Sequence, residues 1–233
     1  MKALRNQVVI ITGAASGLGK ETAIEFVKAG AQVAICGRSS ENIKAVESEL
    51  LDICHPNRVL AMRADVSTEE DVQQFVNATI SKFGRIDTLI NNAAIFENYS
   101  IVDSSIDSWY HHIDNNVTSA FLMMRECIPF MRENKFGRII SITSELARHG
   151  AAGFGAYSAS KAALETLTSS VNDEEYHNGI STILFNPGVM KTGLHSYGED
   201  PKTIAPALVR LAYSNKDHSD RVVTIDDLQV LEA

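Results

Sequence analysis

Short runs of apolar, mostly β-branched residues alternate along this chain with longer stretches of helical period. The run VVII at 8–11 is apolar at every position rather than at alternate ones. Strands of this kind belong to a parallel sheet that helices cover on both faces. The predicted strands are 8–11, 32–36, 59–62, 88–90, 138–142, 181–185 and 221–225.

The stretches between these strands carry apolar residues three and four positions apart, as helices packed on one side do. Strand and helix therefore alternate throughout, and the predicted fold class is α/β. We expect a single-domain, Rossmann-type, doubly wound parallel sheet of about seven strands with helices on both faces. The predicted helices are 20–28, 41–51, 69–83, 108–131, 156–176 and 201–213.

Two of these helices begin with capping signals. Residues 67–70, STEE, have the pattern of a capping box at the start of the third helix. Asp200 precedes Pro201, and proline suits the first turn of a helix. No linker, repeat or low-complexity tract divides the 233 residues, so we expect one domain over 1–233.

Charge and cysteine usage narrow the range of functions. The formal net charge is −8, which repels a phosphate backbone, so we expect no nucleic-acid partner. The three cysteines are scattered without the short paired spacing of a zinc site, which favours a reduced, cytoplasmic setting and no metal. The apolar start is broken at Gly13, too early for a signal peptide or a membrane span, so we expect no membrane partner.

A glycine-rich loop, GAASGLG at 13–19, follows the first predicted strand and leads into the first helix. Glycines permit a tight turn and let the backbone approach a pyrophosphate, whose charge the amides and dipole of the helix start attract. The alternative is an ordinary glycine-rich turn, but the place between strand and helix favours a dinucleotide site. Its predicted residues are Gly13, Ala15, Ser16, Gly17, Leu18 and Gly19.

The end of the second strand indicates which dinucleotide binds. A carboxylate about 20 residues beyond the glycines would select the free 2′-hydroxyl of NAD. Here the sequence reads CGRS at 36–39, without an acid. The Arg38 guanidinium, with Ser39 beside it, is suited to a 2′-phosphate, so NADP(H) is the predicted cofactor. The alternative is a solvated arginine at a helix start, which the helix dipole disfavours.

Tyr157 and Lys161 stand four residues apart, on one face of a predicted helix. A phenol has an ordinary pKa of about 10, which an adjacent ammonium lowers, so this pair is suited to general acid–base catalysis. The alternative is a solvated helix face. Ser144 follows the strand at 138–142, where its hydroxyl can hold a substrate carbonyl oxygen or merely satisfy loop backbone groups.

Together these motifs resemble the short-chain dehydrogenase/reductase family, in the branch that includes the 3-oxoacyl-acyl-carrier-protein reductases. The resemblance covers residues 1 to about 192 closely and the remainder loosely. It rests on TGAASGLG at 12–19, DV at 65–66, NNAA at 91–94, Asn116, Ser144, Tyr157 with Lys161, and NPG at 186–188 with Thr192.

The resemblance implies a role for each catalytic residue. Tyr157 would donate the proton in reduction while Ser144 holds the substrate oxygen. Lys161 would lower the pKa of the phenol and bind the nicotinamide ribose, and Asn116 would position a water molecule in a proton relay. The further cofactor contacts that it implies are Asp65 and Val66 at the adenine, Asn92 and Ala93 at the ribose, and Pro187, Gly188, Val189 and Thr192 at the nicotinamide.

The implied function is hydride transfer between NADP(H) and a carbonyl or secondary alcohol. The alternative is a dinucleotide-binding sensor or assembly subunit without redox turnover. We expect cofactor binding mainly in 1–115, catalysis and substrate binding in 116–200, and a short C-terminal helix and strand in 201–233. The predicted substrate-binding residues are Ser144, Glu145, His149, Phe154 and Met190.

Only the short segment 193–200 separates Thr192 from the next helix, where family members usually carry a helical lid. We therefore expect an open site that accepts bulky or carrier-bound carbonyl substrates. We also expect a homo-oligomer, either a dimer or a tetramer.

Overall fold

The computed structural model describes residues 6–191, 197–214 and 222–229. Within this part of the chain, seven strands form one sheet, and every paired strand is parallel to its neighbour. The strands are β1 Val8–Ile11, β2 Gln32–Gly37, β3 Val59–Arg63, β4 Thr88–Asn91, β5 Gly137–Ile142, β6 Ile180–Asn186 and β7 Val222–Thr224.

Helices connect the strands and cover both faces of the sheet. They are α1 Gly17–Lys28, α2 Ser40–Leu51, α3 Glu69–Phe83, α4 Ile106–Ile113, α5 Ser119–Asn134, α6 Leu146–His149, α7 Gly155–Glu175, α8 Pro201–Tyr213 and α9 Ile225–Gln229. The predicted fold class, a doubly wound parallel sheet in one domain, is confirmed.

The strand order is β3-β2-β1-β4-β5-β6-β7. The order reverses at β1, which pairs with β2 on one side and β4 on the other. Helices leave the sheet on opposite faces at such a point, and a crevice opens beyond the carboxyl ends of the strands. The glycine-rich loop leaves β1 into this crevice.

The core consists of two apolar clusters, one on each face of the sheet. Alternate residues of β1 divide between them: Val9 and Ile11 pack with α1 and α8, while Ile10 packs with α3 and α5. This division follows from the strand period of two, and it explains why β1 is apolar at every position. No helix in the described residues is long and apolar enough to span a bilayer.

The capping predictions had different outcomes. Asp200 caps α8 as predicted, because its carboxylate accepts a hydrogen bond from the Lys202 amide at 2.9 Å. The prediction of a capping box before α3 is wrong, because Thr68, the N-cap residue, makes no side-chain capping hydrogen bond. The Ser67 hydroxyl instead donates to the Asp65 carboxylate at 2.7 Å, and the Thr68 hydroxyl donates to the Asp65 carbonyl at 3.0 Å.

The predicted helix 108–131 is not continuous. Between α4 and α5 the backbone forms a π-helical segment, Asp114–Thr118, whose extra residue per turn breaks the regular spacing. Asn116 lies in this segment and is buried. Apolar periodicity alone does not reveal such a segment, because the side chains on either side still follow the helical pattern.

Candidate active site

A cavity of about 640 Å³ lies in the crevice beyond the carboxyl ends of β1, β4, β5 and β6. It brings the glycine-rich loop together with the residues predicted to carry the chemistry. The predicted site residues that line it are Gly13, Ser16, Gly17, Leu18, Asn92, Ala93, Ser144, Glu145, Phe154, Tyr157, Lys161, Pro187, Gly188, Val189 and Met190.

The glycine-rich loop forms one wall of this cavity. Gly13 and Gly17 have φ of +65° and +55°, a conformation that other residues rarely adopt. A Cβ at Gly13 would also lie 2.7 Å from the Ala93 Cα. The Asn92 amide secures the loop by donating to the Thr12 carbonyl at 2.9 Å and the Gly13 carbonyl at 3.2 Å.

The start of α1 fits a bound phosphate. Ser16 is its N-cap residue, yet its side chain forms no capping hydrogen bond with the helix. The first amides of an α-helix have no partner within the helix, so they and the helix dipole are suited to hold an anion at this point. On the opposite side of the cavity, Gly188 has φ +74° and open space where a Cβ would stand. The residues present therefore fit a dinucleotide.

Arg38 and Ser39 lie outside this cavity, after β2. Gly37, just before them, packs closely against the glycine-rich loop: a Cβ added at Gly37 would lie 2.9 Å from the Ala15 Cβ. Arg38 and Ser39 therefore lie beside this loop. The exposed Arg38 guanidinium has a long contact of 3.4 Å with the Asn115 amide oxygen. Ser39 caps α2 by accepting a hydrogen bond from the Asn42 amide at 3.2 Å.

Four other predicted cofactor-binding residues do not line the cavity. Ala15 lies in the glycine-rich loop and Gly19 in the first turn of α1, where a Cβ would lie 2.5 Å from the Asn92 amide nitrogen. The Asp65 carboxylate is occupied by Ser67, and Val66 is buried in the core cluster beside α3. Thr192 lies outside the described residues.

Tyr157 stands near the start of α7 among aromatic rings. Phe96 meets it edge-on at a centroid distance of 4.8 Å, and Phe154 stacks on Phe96 at 4.9 Å. Burial raises the pKa of Tyr157 above its ordinary value, and a hydrogen bond with Ser144 opposes the shift. The lowered phenol pKa expected from Lys161 is therefore not seen in this structure.

Lys161 is buried one turn after Tyr157. Its Nζ donates to the Ile142 carbonyl at 2.8 Å and lies 5.8 Å from the centroid of the Tyr157 ring. Burial lowers the pKa of Lys161 to about 8, since the charged form loses its hydration. Burial of the phenol itself is the largest cause of the raised Tyr157 pKa, which accounts for the difference from the expected lowering.

Ser144 stands just beyond β5, and the amide of Leu146 donates to its hydroxyl at 3.3 Å. The next residue, Glu145, lies at the cavity mouth and accepts a hydrogen bond from the Asn186 amide at 3.4 Å. His149 does not line the cavity, contrary to prediction. The turn of α6 places it one turn after Glu145, 3.1 Å from that carboxylate, with its side chain 72% exposed.

Asn116 is buried behind the cavity rather than in its lining. Its side-chain oxygen accepts a hydrogen bond from the Ile95 amide at 2.8 Å. Its side-chain nitrogen donates to the Ile95 carbonyl at 3.1 Å and to the Ser160 hydroxyl at 2.9 Å. The side chain thus ties the π-helical segment to the loop after β4 and to α7.

Two aromatic lining residues were not predicted. Phe96 follows NNAA at 91–94, and Tyr197 lies in the short segment before α8. Both follow predicted strands and fall in sequence without helical or strand periodicity, which was the only sequence signal for them. The segment that carries Tyr197 is held to the chain after β6 by two backbone hydrogen bonds. The Lys191 amide donates to the Glu199 carbonyl at 2.8 Å, and the Glu199 amide donates to the Val189 carbonyl at 2.9 Å.

A family model described as short chain dehydrogenase matches residues 7–202. This chain belongs to the short-chain dehydrogenase family. It is 34% identical over 195 residues to a 3-oxoacyl-[acyl-carrier-protein] reductase from Synechocystis, covering 83% of this chain and 78% of that protein. The predicted family resemblance is confirmed, and membership makes the protein an oxidoreductase.

Solved structures of the family share the whole fold. A metagenomic short-chain oxidoreductase in complex with NADP superposes with a TM-score of 0.84 at 27% identity, over 95% of this chain and 98% of that one. A 3-ketoacyl-(acyl-carrier-protein) reductase from Brucella melitensis complexed with NADH gives a TM-score of 0.86 at 26% identity, over 96% and 98% of the two chains.

Proposed function

We propose that this protein is an NADP(H)-dependent oxidoreductase that interconverts a carbonyl compound and a secondary alcohol. The observation that carries the proposal is that Ser144, Tyr157 and Lys161 line the same cavity as the glycine-rich loop. Arg38, at the end of β2 and without a carboxylate partner among the described residues, supports NADP(H) over NAD(H). The NADP complex of a similar solved structure is consistent with this cofactor.

The start of α1 would hold the pyrophosphate, and Pro187, Gly188 and Val189 would hold the nicotinamide end. When bound, the reduced cofactor supplies the hydride. The Ser144 hydroxyl donates a hydrogen bond to the substrate carbonyl oxygen, and Tyr157 Oη donates its proton to that oxygen as negative charge develops there. The phenol is protonated at neutral pH and therefore carries the proton to be donated, while burial raises its pKa and makes it a weaker acid than an exposed phenol.

Lys161 would serve the same step by binding ribose hydroxyls through its buried ammonium. Asn116 lies behind the cavity and not in its lining. Its side chain is hydrogen-bonded with Ile95 and with Ser160, whose hydroxyl in turn donates to the Tyr157 carbonyl at 2.7 Å. We therefore assign Asn116 to holding the start of α7, and its expected role in positioning a water molecule of a proton relay stays a prediction.

The cavity has apolar lining residues: Phe96 contacts the Tyr157 ring, Phe154 stacks on Phe96, and Met190 also lines the cavity. An extended apolar body in the substrate would bury surface against these side chains. We propose bulky or carrier-bound carbonyl compounds as the substrate class. The 3-oxoacyl-[acyl-carrier-protein] reductase of Synechocystis supports the carrier-bound member of this class.

The test is carbonyl-dependent consumption of NADPH, measured by absorbance with a size series of ketones and 3-oxoacyl thioesters. Tyr157→Phe should lower kcat by about two to four orders of magnitude, the usual contribution of a positioned acid. The dissociation constant for NADPH should be nearly unchanged, because the variant removes one hydroxyl. Tyr110→Phe, at an exposed position on α4, is the matched control.

Three results would contradict the proposal. Ordinary turnover in Tyr157→Phe would remove the proposed proton donor. Tight NADPH binding without consumption across the whole series would favour a sensor or assembly subunit. The highest kcat/KM for the smallest ketone would contradict the proposed substrate class.

A further inference from the structure

One face of α7 contacts the end of β5 at successive points. Tyr157, Lys161 and Glu165 are spaced four residues apart and therefore share this face. Tyr157 lines the same cavity as Ser144, and Lys161 donates to the Ile142 carbonyl at 2.8 Å. Glu165 completes the series by contacting Thr143, which lies between Ile142 and Ser144 in the chain.

The Glu165 carboxylate holds the chain on both sides of Ser144. The Thr143 hydroxyl donates to Glu165 Oε1 at 2.7 Å, and Arg148 Nε of α6 lies 3.7 Å from Oε2. Thr143 is buried, and the Glu165 side chain is only 17% exposed. One carboxylate thus connects the last residue before Ser144 with the short helix that follows it.

The Ser144 backbone is held after β5 by the Ala147 amide, which donates to the Ser144 carbonyl at 3.0 Å. The β5 register with β6 ends at Ile142, and the Thr143 amide makes one more hydrogen bond, to the Phe185 carbonyl at 2.9 Å. The hydrogen bond from the Leu146 amide to the Ser144 hydroxyl is long, at 3.3 Å. The direction of the Ser144 hydroxyl therefore depends on how its two neighbours are held.

We propose that Glu165 is a positioning residue: from outside the cavity, its carboxylate fixes Ser144 against Tyr157. This inference rests on the proposed function. A largely buried carboxylate is costly to keep in a fold, and within the described residues the cation paired with Glu165 is Arg148, at 3.7 Å. Fixing the hydroxyl that binds the substrate oxygen can offset this cost in stability by a gain in turnover, since a displacement of about 1 Å in an active site can lower turnover by two orders of magnitude.

A spectroscopic test reads the Ser144–Tyr157 contact without turnover. With tyrosine labelled at ¹³Cζ, the chain gives six resonances, and the Tyr157 signal is the one absent from Tyr157→Phe. Ser144→Ala defines the position of this resonance in the absence of the Ser144 hydroxyl. Glu165→Ala and Thr143→Val should each move it toward that position.

Conservative variants separate positioning from general damage. Glu165→Gln keeps an acceptor for the Thr143 hydroxyl, and Thr143→Ser keeps the donor, so both should retain most of the wild-type resonance position. Glu175→Gln is the matched control, because Glu175 is also a largely buried carboxylate of α7 but binds Arg132, away from Ser144. It should reduce stability and leave the Tyr157 resonance in place.

Kinetics supply the second measurement. Glu165→Ala and Thr143→Val should each lower kcat for carbonyl reduction about tenfold or more, with the NADPH dissociation constant unchanged. The double variant should lower kcat little more than either single variant does, because each single variant already removes the same hydrogen bond between Thr143 and Glu165. Glu175→Gln should retain wild-type kcat in the folded protein.

The two proposals fail in different ways. A wild-type protein that consumes no NADPH with any carbonyl compound contradicts the proposed function, while the resonance still reports on Ser144. An unmoved Tyr157 resonance in both Glu165→Ala and Thr143→Val overturns the role of Glu165. Equal effects of Glu165→Ala and the control Glu175→Gln on the resonance and on kcat would likewise show that Glu165 is only a structural carboxylate.

Discussion

At the scale of single residues, burial acts on Tyr157 and Lys161 in opposite directions. It raises the pKa of the phenol above its ordinary value and lowers the pKa of the ammonium to about 8. The lysine therefore releases its proton before the tyrosine does, which is the reverse of the order needed for a phenolate paired with an ammonium. Tyr157 therefore keeps its proton over the range in which Lys161 loses its own, and the raised pKa makes the phenol the weaker acid of the two.

The buried Lys161 should make stability depend on pH. An unfolded lysine has a pKa of about 10.4, so between about pH 8 and 10.4 the unfolded chain binds more protons than the folded one, and stability rises with pH. From pH 7 to 9, wild type should gain about 1 to 2 kcal/mol relative to Lys161→Met. Urea unfolding at both values measures this difference, and a gap that does not change with pH would show that Lys161 is not desolvated.

Arg38 should determine the choice between the two nicotinamide cofactors. If its guanidinium makes charged hydrogen bonds to the 2′-phosphate, NADPH should bind more tightly than NADH by roughly 2 kcal/mol, about thirtyfold. Arg38→Ala should remove most of this gap, as measured by fluorescence titration. Arg63→Ala is the control: it removes an exposed arginine that pairs with Asp71 at the end of β3, and it should leave the difference in affinity between NADPH and NADH intact. Equal affinities in wild type would refute the assignment.

At the scale of elements, sequence pattern and structure agree wherever the period decides the element. The apolar run at 8–11 is β1 residue for residue, and the helices predicted at 69–83 and 201–213 have the bounds of α3 and α8. These elements bury a face or a whole strand, and burial is what periodicity records. The capping box failed because Ser67 and Thr68 have a nearer acceptor in Asp65.

The π-helical segment has a cause that the local sequence does not contain. Asn116 exchanges two hydrogen bonds with Ile95, a residue 21 positions away, and donates a third to Ser160 on α7. The extra residue in the turn brings Asn116 to face these partners. Because the contact is tertiary, the pattern between 108 and 131 predicted one regular helix.

Asn116→Ala should therefore damage the fold as well as the site. It leaves the buried amide and carbonyl of Ile95 without partners, at a cost of about 3 kcal/mol or more. The urea midpoint should fall accordingly, and the Ile95 loop next to Phe96 should lose its anchor. Asn115→Ala removes a hydrogen bond to the His111 carbonyl nearby and should cost less than about 1 kcal/mol. Similar midpoints for the two variants would contradict this account.

At the scale of the whole molecule, the alternation of strands and helices places the glycine-rich loop and the residues after β5 at one edge of the sheet. The sequence therefore predicts most of the cavity lining. It does not predict the directions in which loop side chains turn. His149 was misplaced because a four-residue helix rotates it into solvent, and Phe96 was missed because its partners, Phe154 and Tyr157, lie far away in sequence.

The exterior carries an apolar patch that a monomer would leave in water. On α4, Ile106, Trp109 and Tyr110 are spaced so that they share one face, and they are 61%, 38% and 56% exposed. Val102, in the preceding loop, is 93% exposed. Contiguous apolar surfaces of this kind are uncommon on soluble monomers and mark interfaces. The expected homo-oligomer therefore has a candidate surface.

We predict that this α4 face is buried between copies of the chain in solution. Light scattering after size exclusion should give the mass of a dimer or tetramer for wild type. Ile106→Glu with Tyr110→Glu should lower that mass, because a carboxylate buried without a partner opposes association. Tyr176→Glu, at a tyrosine 58% exposed after α7, is the matched control and should keep the wild-type mass. A wild-type monomer, or a double variant with the wild-type mass, would exclude this surface as the interface.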